Sequence, residues 1–116
     1  MNLLFVFLGG GLGSVLRFGI SKMTLSWVHL FPLSTLISNV LATSVLALIV
    51  SNQNLTKEHW MWYFIGIGFC GGFSTFSTFS MENVQLFEQG ELILLFINVL
   101  FSVLLSFGVF YLLFSK

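Results

Sequence analysis

Four apolar stretches, each about as long as a bilayer core is thick, recur along a chain of only 116 residues. They run from about Leu3 to Ile20, Leu33 to Val50, Trp60 to Phe79 and Leu92 to Phe114, with joints at Ser21–Pro32, Ser51–His59 and Ser80–Glu91. Lipid offers no partner to a backbone amide, so every span is predicted to be helical. Composition agrees: 57% of residues are hydrophobic and 7% charged, whereas a soluble domain this small must cover its surface with polar groups. Four Lys/Arg balance four Asp/Glu, which argues against a nucleic-acid binder. The reading is an all-α membrane protein, residues 1–116 forming a single four-helix domain.

Most ionisable residues fall in the joints: Lys22, His29, Lys57, Glu58, His59, Glu82, Glu88 and Glu91. The glutamates are expected at or beyond helix ends. Trp27, Trp60 and Trp62 are expected at the membrane interfaces, and Pro32 precedes the second span, where its missing N–H costs nothing. The N-terminus has no basic region or cleavage site of a secretory signal and is read as structure. Cys70 reads as a buried structural thiol, and His29 and His59 show no metal-ligand spacing.

Lys57 and Lys116 fall on one side of the membrane, Arg17 and Lys22 on the other. Two against two gives no positive-inside bias. Either another signal sets one topology, or both orientations insert and pair as an antiparallel dimer. Four thin helices shield a polar path poorly, so an oligomer is favoured in both cases.

Polar groups inside the spans are ordered. Gly9, Gly10, Gly11 and Gly13 crowd the first, and Gly9/Gly13 have the small-xxx-small spacing of close helix packing. Thr35, Asn39 and Thr43 form one stripe of the second span, and Asn98, Ser102 and Ser106 one stripe of the fourth. A lone Ser or Thr can bond its own i−4 carbonyl. Asn cannot hide in that way, so the stripes read either as interhelical bonding or as a water-accessible track.

The third span carries Gly66, Gly68, Gly71 and Gly72, then the triplet repeat Phe73-Ser74-Thr75-Phe76-Ser77-Thr78-Phe79-Ser80. Paired glycines followed by dense hydroxyls make a weak helix, and a break is expected between Gly71 and Thr75. A period of three drifts about 60° per step, so Phe73, Phe76 and Phe79 are expected on one broad face with the hydroxyls beside it. Phenyl rims are electropositive. Rims and neutral O–H or N–H donors can therefore hold a small anion without the trap of a full charge, as conduction requires.

At these residues the sequence resembles the Fluc (CrcB-type) fluoride channel family. The matching pieces are Gly9 to Gly13 with Arg17, then Pro32/Thr35/Asn39, and Gly68 through Ser80 with Glu82. The resemblance implies a passive, non-enzymatic fluoride-selective channel that exports fluoride across the plasma membrane and protects the cell from its toxicity. It also implies an antiparallel dual-topology homodimer with two pores and a structural Na⁺ at its centre. By that likeness Phe76 and Phe79 form an aromatic box for fluoride and Asn39 lines the pore. Thr75, Ser77, Thr78, Ser102 and Ser106 fall on or near the polar track. Backbone carbonyls of Gly71 and Ser74 bind the Na⁺, and Arg17 sits at the vestibule.

The chain departs from the family pattern at Ser74, where Thr is usual, at Ser34, where Gly is usual, and at Ala42 and Ala47 in place of Gly. A heterodimer with a diverged paralogue is a second possible assembly. The competing class is a small four-helix proton-coupled multidrug exporter, which needs a carboxylate inside the membrane. The first span has none. An enzyme is disfavoured because no nucleophile–base pair or cofactor motif is visible.

Overall fold

A computed structural model describes residues 2–24, 33–52 and 58–114. Trp27, His29, Pro32, Lys57 and Lys116, singled out above, lie outside the described residues. The elements are α1 (Asn2–Thr24), α2 (Leu33–Ser51), a π-type coil (Trp62–Phe69) leading into α3 (Cys70–Phe73), α4 (Phe76–Glu88) and α5 (Leu92–Phe114). Among the described residues, four helical stretches are long and apolar enough to cross a membrane, at 2–23, 33–51, 62–88 and 92–114.

α1 packs along the π coil and α3, and glycines set how closely. A Cβ added at Gly9 would overlap the Phe64 carbonyl, one at Gly13 the Phe69 carbonyl, and one at Gly72 the Gly10 carbonyl. At Gly68 it would stand 2.8 Å from the Val6 carbonyl oxygen. The backbones themselves touch, so the small-xxx-small spacing works within the subunit, through dispersion between close-packed main chains. The π winding is seen in the Cys70 amide, which reaches back five residues to the Ile65 carbonyl.

α2 is the best covered of the spans, with 28% of its most apolar window buried against 11% for α1 and for α5. Thr35, Leu36, Ser38, Ala42 and Ala47 are buried on it. Ala42 and Ala47 are 2% and 0% exposed, so a methyl fits at both positions that depart from glycine. The outer faces of α1 and α5 are left bare, Leu3, Phe7, Phe107 and Tyr111 among them.

The expected break falls within Gly71 to Thr75, and two other expectations change. The break is confined to Ser74 and Thr75, both extended (ψ 157°; φ −155°, ψ 123°), while Gly71 and Gly72 stay helical within α3. Phe73 does not share a face with Phe76 and Phe79, because two extended residues reset the helical phase between them. It is 3% exposed and packs on Phe69, ring centroids 5.3 Å apart. The third span also runs on to Glu88 instead of ending near Phe79, which places Glu82 inside a helix and not at its end. Its polar residues can remain helical because they find partners across the bundle: Thr35 Oγ1 donates to Glu82 Oε2 at 2.8 Å, and Asn98 Nδ2 to Asn83 Oδ1 at 2.8 Å. α4 then stops at a Schellman turn, with Gly90 at φ 77°, the Glu91 amide on the Leu86 carbonyl and the Gly90 amide on the Phe87 carbonyl.

Candidate functional site

The broken helix would leave amides and carbonyls without partners in a place where water is scarce. Side chains take over the ladder. Asn39, on α2, accepts from the Thr75 amide at its Oδ1 (2.9 Å), and its Nδ2 faces the Thr75 carbonyl oxygen at 3.5 Å. One carboxamide thus clasps the extended residue as a neighbouring strand would. Thr75 Oγ1 caps α4 by accepting from the Thr78 amide (3.2 Å) and lies 3.2 Å from Ser77 Oγ. Both donors of Ser74, its amide (3.0 Å) and Oγ (2.7 Å), go to the Cys70 carbonyl. Arg17 Nε donates to the Gly72 carbonyl at 3.2 Å.

These substitutions leave two carbonyls changed. In an unbroken helix the Thr75 and Thr78 amides would serve the Gly71 and Ser74 carbonyls, but here they serve Asn39 and Thr75 Oγ1. A Cβ at Gly71 would meet nothing within 4 Å. Two oxygens of a hard-ligand type are therefore released at the break, suited to an alkali or alkaline-earth cation rather than a soft metal. Among the described residues no three His, Cys, Asp or Glu side chains come together as a metal-binding group.

Beside the break lies a cleft of about 290 Å³ between α2, the start of α4 and α5, open along one side. It is lined by Asn39, Thr75, Phe76, Phe79, Ser102 and Ser106, all singled out from the sequence, and also by Thr43, Ser74, Val103 and Phe107. None of these is charged. Phe76 and Phe79 stand with ring centroids 5.8 Å apart and planes tilted by 41°, and both rings border the cleft. Thr43 returns its hydroxyl to the Asn39 carbonyl (2.7 Å), the self-satisfying bond of a membrane-helix Thr.

Ser77, Thr78 and Arg17 are not among the cleft residues. Ser77 and Thr78 serve the cap of α4, and Arg17 holds the far end of α3. Thr43 was visible in the α2 stripe, while Phe107 had no signal beyond its place next to Ser106. An apolar extension of the cleft shares Thr43, Ser106 and Phe107 and continues along Phe110, Tyr111 and Phe114.

The family described as "CrcB-like protein, Camphor Resistance (CrcB)" matches residues 4–114. This chain belongs to the CrcB family. It is 42% identical over 113 residues to a protein of Pyrococcus abyssi named "Fluoride-specific ion channel FluC", covering 91% of this chain and 89% of that one. Proteins of the same name from Shewanella amazonensis (39% over 113 residues; 96% and 91% covered) and Vibrio parahaemolyticus (39% over 106 residues; 88% and 83% covered) are also similar. The CrcB match takes in three of the four membrane-capable stretches whole and the first from residue 4 onward, so the chain is a multi-pass membrane protein, and the break and its cleft lie within the matched region.

Proposed function

We propose that this chain is the subunit of a passive, fluoride-selective channel of the cell membrane that lets fluoride leave and so limits its toxicity. The carrying observation is the uncharged cleft in which the Asn39 carboxamide, the Ser102 and Ser106 hydroxyls and the Phe76 and Phe79 rings converge. Neutral donors and ring rims attract a small anion, and without Lys or Arg in the lining it can also leave. The N-terminus of α4, whose first amides have no partner within the helix, adds a partial positive charge beside the rings. The relatives at about 40% identity carry the fluoride-channel name.

The assembly we propose is an antiparallel homodimer. Phe76 is 78% exposed within one chain, so another surface has to enclose its ring before the cleft is a pore, and the bare apolar faces of α1 and α5 need lipid or a second subunit. Fit at the break also supports a structural Na⁺. The Gly71 and Ser74 carbonyls, each deprived of its helical donor, would hold it, and a cation there would supply the partner that the break withholds from them in a water-poor span. Glu82 supplies the membrane carboxylate that an exporter would need, but it accepts from Thr35, and family membership favours the channel.

Purified protein in liposomes loaded with fluoride and shunted for K⁺ should release fluoride and retain chloride. Phe76→Ile and Phe79→Ile should each slow release about tenfold or more, the equivalent of one lost ring contact of roughly 1.4 kcal/mol, with the dimer intact on size exclusion. Equal release of both halides, or full activity in both variants, would show that the rings have been misassigned.

A further inference from the structure

Two asparagines outside the cleft are joined to it by a single hydroxyl. Asn98 is 1% exposed and, with Ser102 and Ser106, forms the polar stripe of α5, yet it does not line the cleft. Its Nδ2 donates to Asn83 Oδ1 at 2.8 Å, and its Oδ1 accepts from Ser102 Oγ at 3.5 Å. Asn83 lies seven and four residues after Phe76 and Phe79, on the same side of α4. The pair therefore stands one turn beyond the cleft on both helices. The two links differ in strength: the Asn83–Asn98 bond is short, whereas the Ser102 contact, at 3.5 Å, is longer than an ordinary O–H···O bond of about 2.5–3.0 Å.

We propose that Asn98 is a positioning residue for conduction: pinned by Asn83, it offers Oδ1 as a weak resting acceptor that keeps the Ser102 proton available and yields it to an anion in the cleft. The inference rests on the channel reading above. A hydroxyl with no resting acceptor in a buried site turns to the nearest backbone carbonyl, as Thr43 does, and a proton held there at 2.7 Å is harder to release. Asn98 is not a ligand of the ion. It does not line the cleft, one of its two amide N–H groups goes to Asn83, and the oxygen it turns to Ser102 would repel an anion.

The test is a double-mutant cycle on fluoride efflux from liposomes, with dimer integrity and thermal midpoint measured for each protein. Asn98→Leu should slow efflux about tenfold when Ser102 is present, the size of one misplaced hydrogen bond, and by less than about twofold in a Ser102→Ala background. Asn83→Leu, at a partly exposed position, leaves Asn98 in place and should reproduce the loss if Asn98→Leu does not fold. Equal losses with and without the Ser102 hydroxyl would show that Asn98 only packs α5, and an unchanged rate in Asn83→Leu would show that the pin is idle; either result overturns the proposal. A wild-type protein that fails to conduct fluoride overturns the channel reading itself, and this inference with it.

Discussion

Asn39 closes the main-chain gap at Thr75 and lines the cleft at the same time. These duties compete, because a carboxamide bonded to the main chain has only part of its donor capacity left for an ion. Asn39→Leu is expected to leave the Thr75 amide unsatisfied, costing about 1–3 kcal/mol of stability, and to slow efflux by at least about tenfold. Asn39→Asp keeps the acceptor for the Thr75 amide but turns a second oxygen toward the Thr75 carbonyl, so it should cost less stability than Asn39→Leu while its negative charge suppresses efflux at least as strongly. Thermal unfolding in detergent beside liposome efflux separates the two effects. The asparagines were legible in the sequence as polar groups that cannot satisfy themselves locally. Their partners were not, since Asn39 meets Thr75 across 36 residues and Asn98 meets Asn83 through a turn.

At the scale of the elements, two kinds of joint hold the third span. Its first half rests on α1 through bare backbone, and its second half is tethered by side chains, Thr35 to Glu82 and Asn98 to Asn83. The first kind tolerates no added atom. Gly13→Ala should force α1 away from the Phe69 carbonyl and lower the thermal midpoint by several degrees, with aggregated protein on size exclusion. Gly108→Ala, where a Cβ meets nothing within 4 Å, should leave both measurements at wild type or raise the midpoint slightly through helix propensity. The spacing of Gly9 and Gly13 announced the close contact, and hydrophobic length located every span. The reach of α4 to Glu88 was not legible, because Glu82, Asn83, Gln85 and Glu88 read as a solvated joint until the cross-bundle partners of Glu82 and Asn83 are known.

For the whole molecule, the balance of buried and bare surface is that of half an assembly. Only about a tenth of the residues in the apolar windows of α1 and α5 are buried, and Phe76 stands 78% exposed beside the cleft. If Na⁺ joins the Gly71 and Ser74 carbonyls at the centre of a dimer, replacing Na⁺ on both sides of the membrane with a bulky organic cation should lower the dimer's thermal midpoint and slow efflux. Li⁺ or K⁺ should restore less than Na⁺ does, because the oxygens at the break set one cavity size. Identical midpoints in Na⁺ and in the organic cation would remove the ion from the structure.

Hydrophobic length and the ban on unpaired backbone in lipid determined the number of spans and their helical form, and paired glycines before dense hydroxyls the break at the Phe–Ser–Thr repeat, all from local sequence. Which residues mend that break, which of the hydroxyl residues line the cleft, and that Phe73 leaves the company of Phe76 and Phe79, were decided only by the fold. The reason is geometric. A break of two extended residues rotates everything after it by an amount that no periodicity records, and hydrogen bonds between distant helices depend on that rotation.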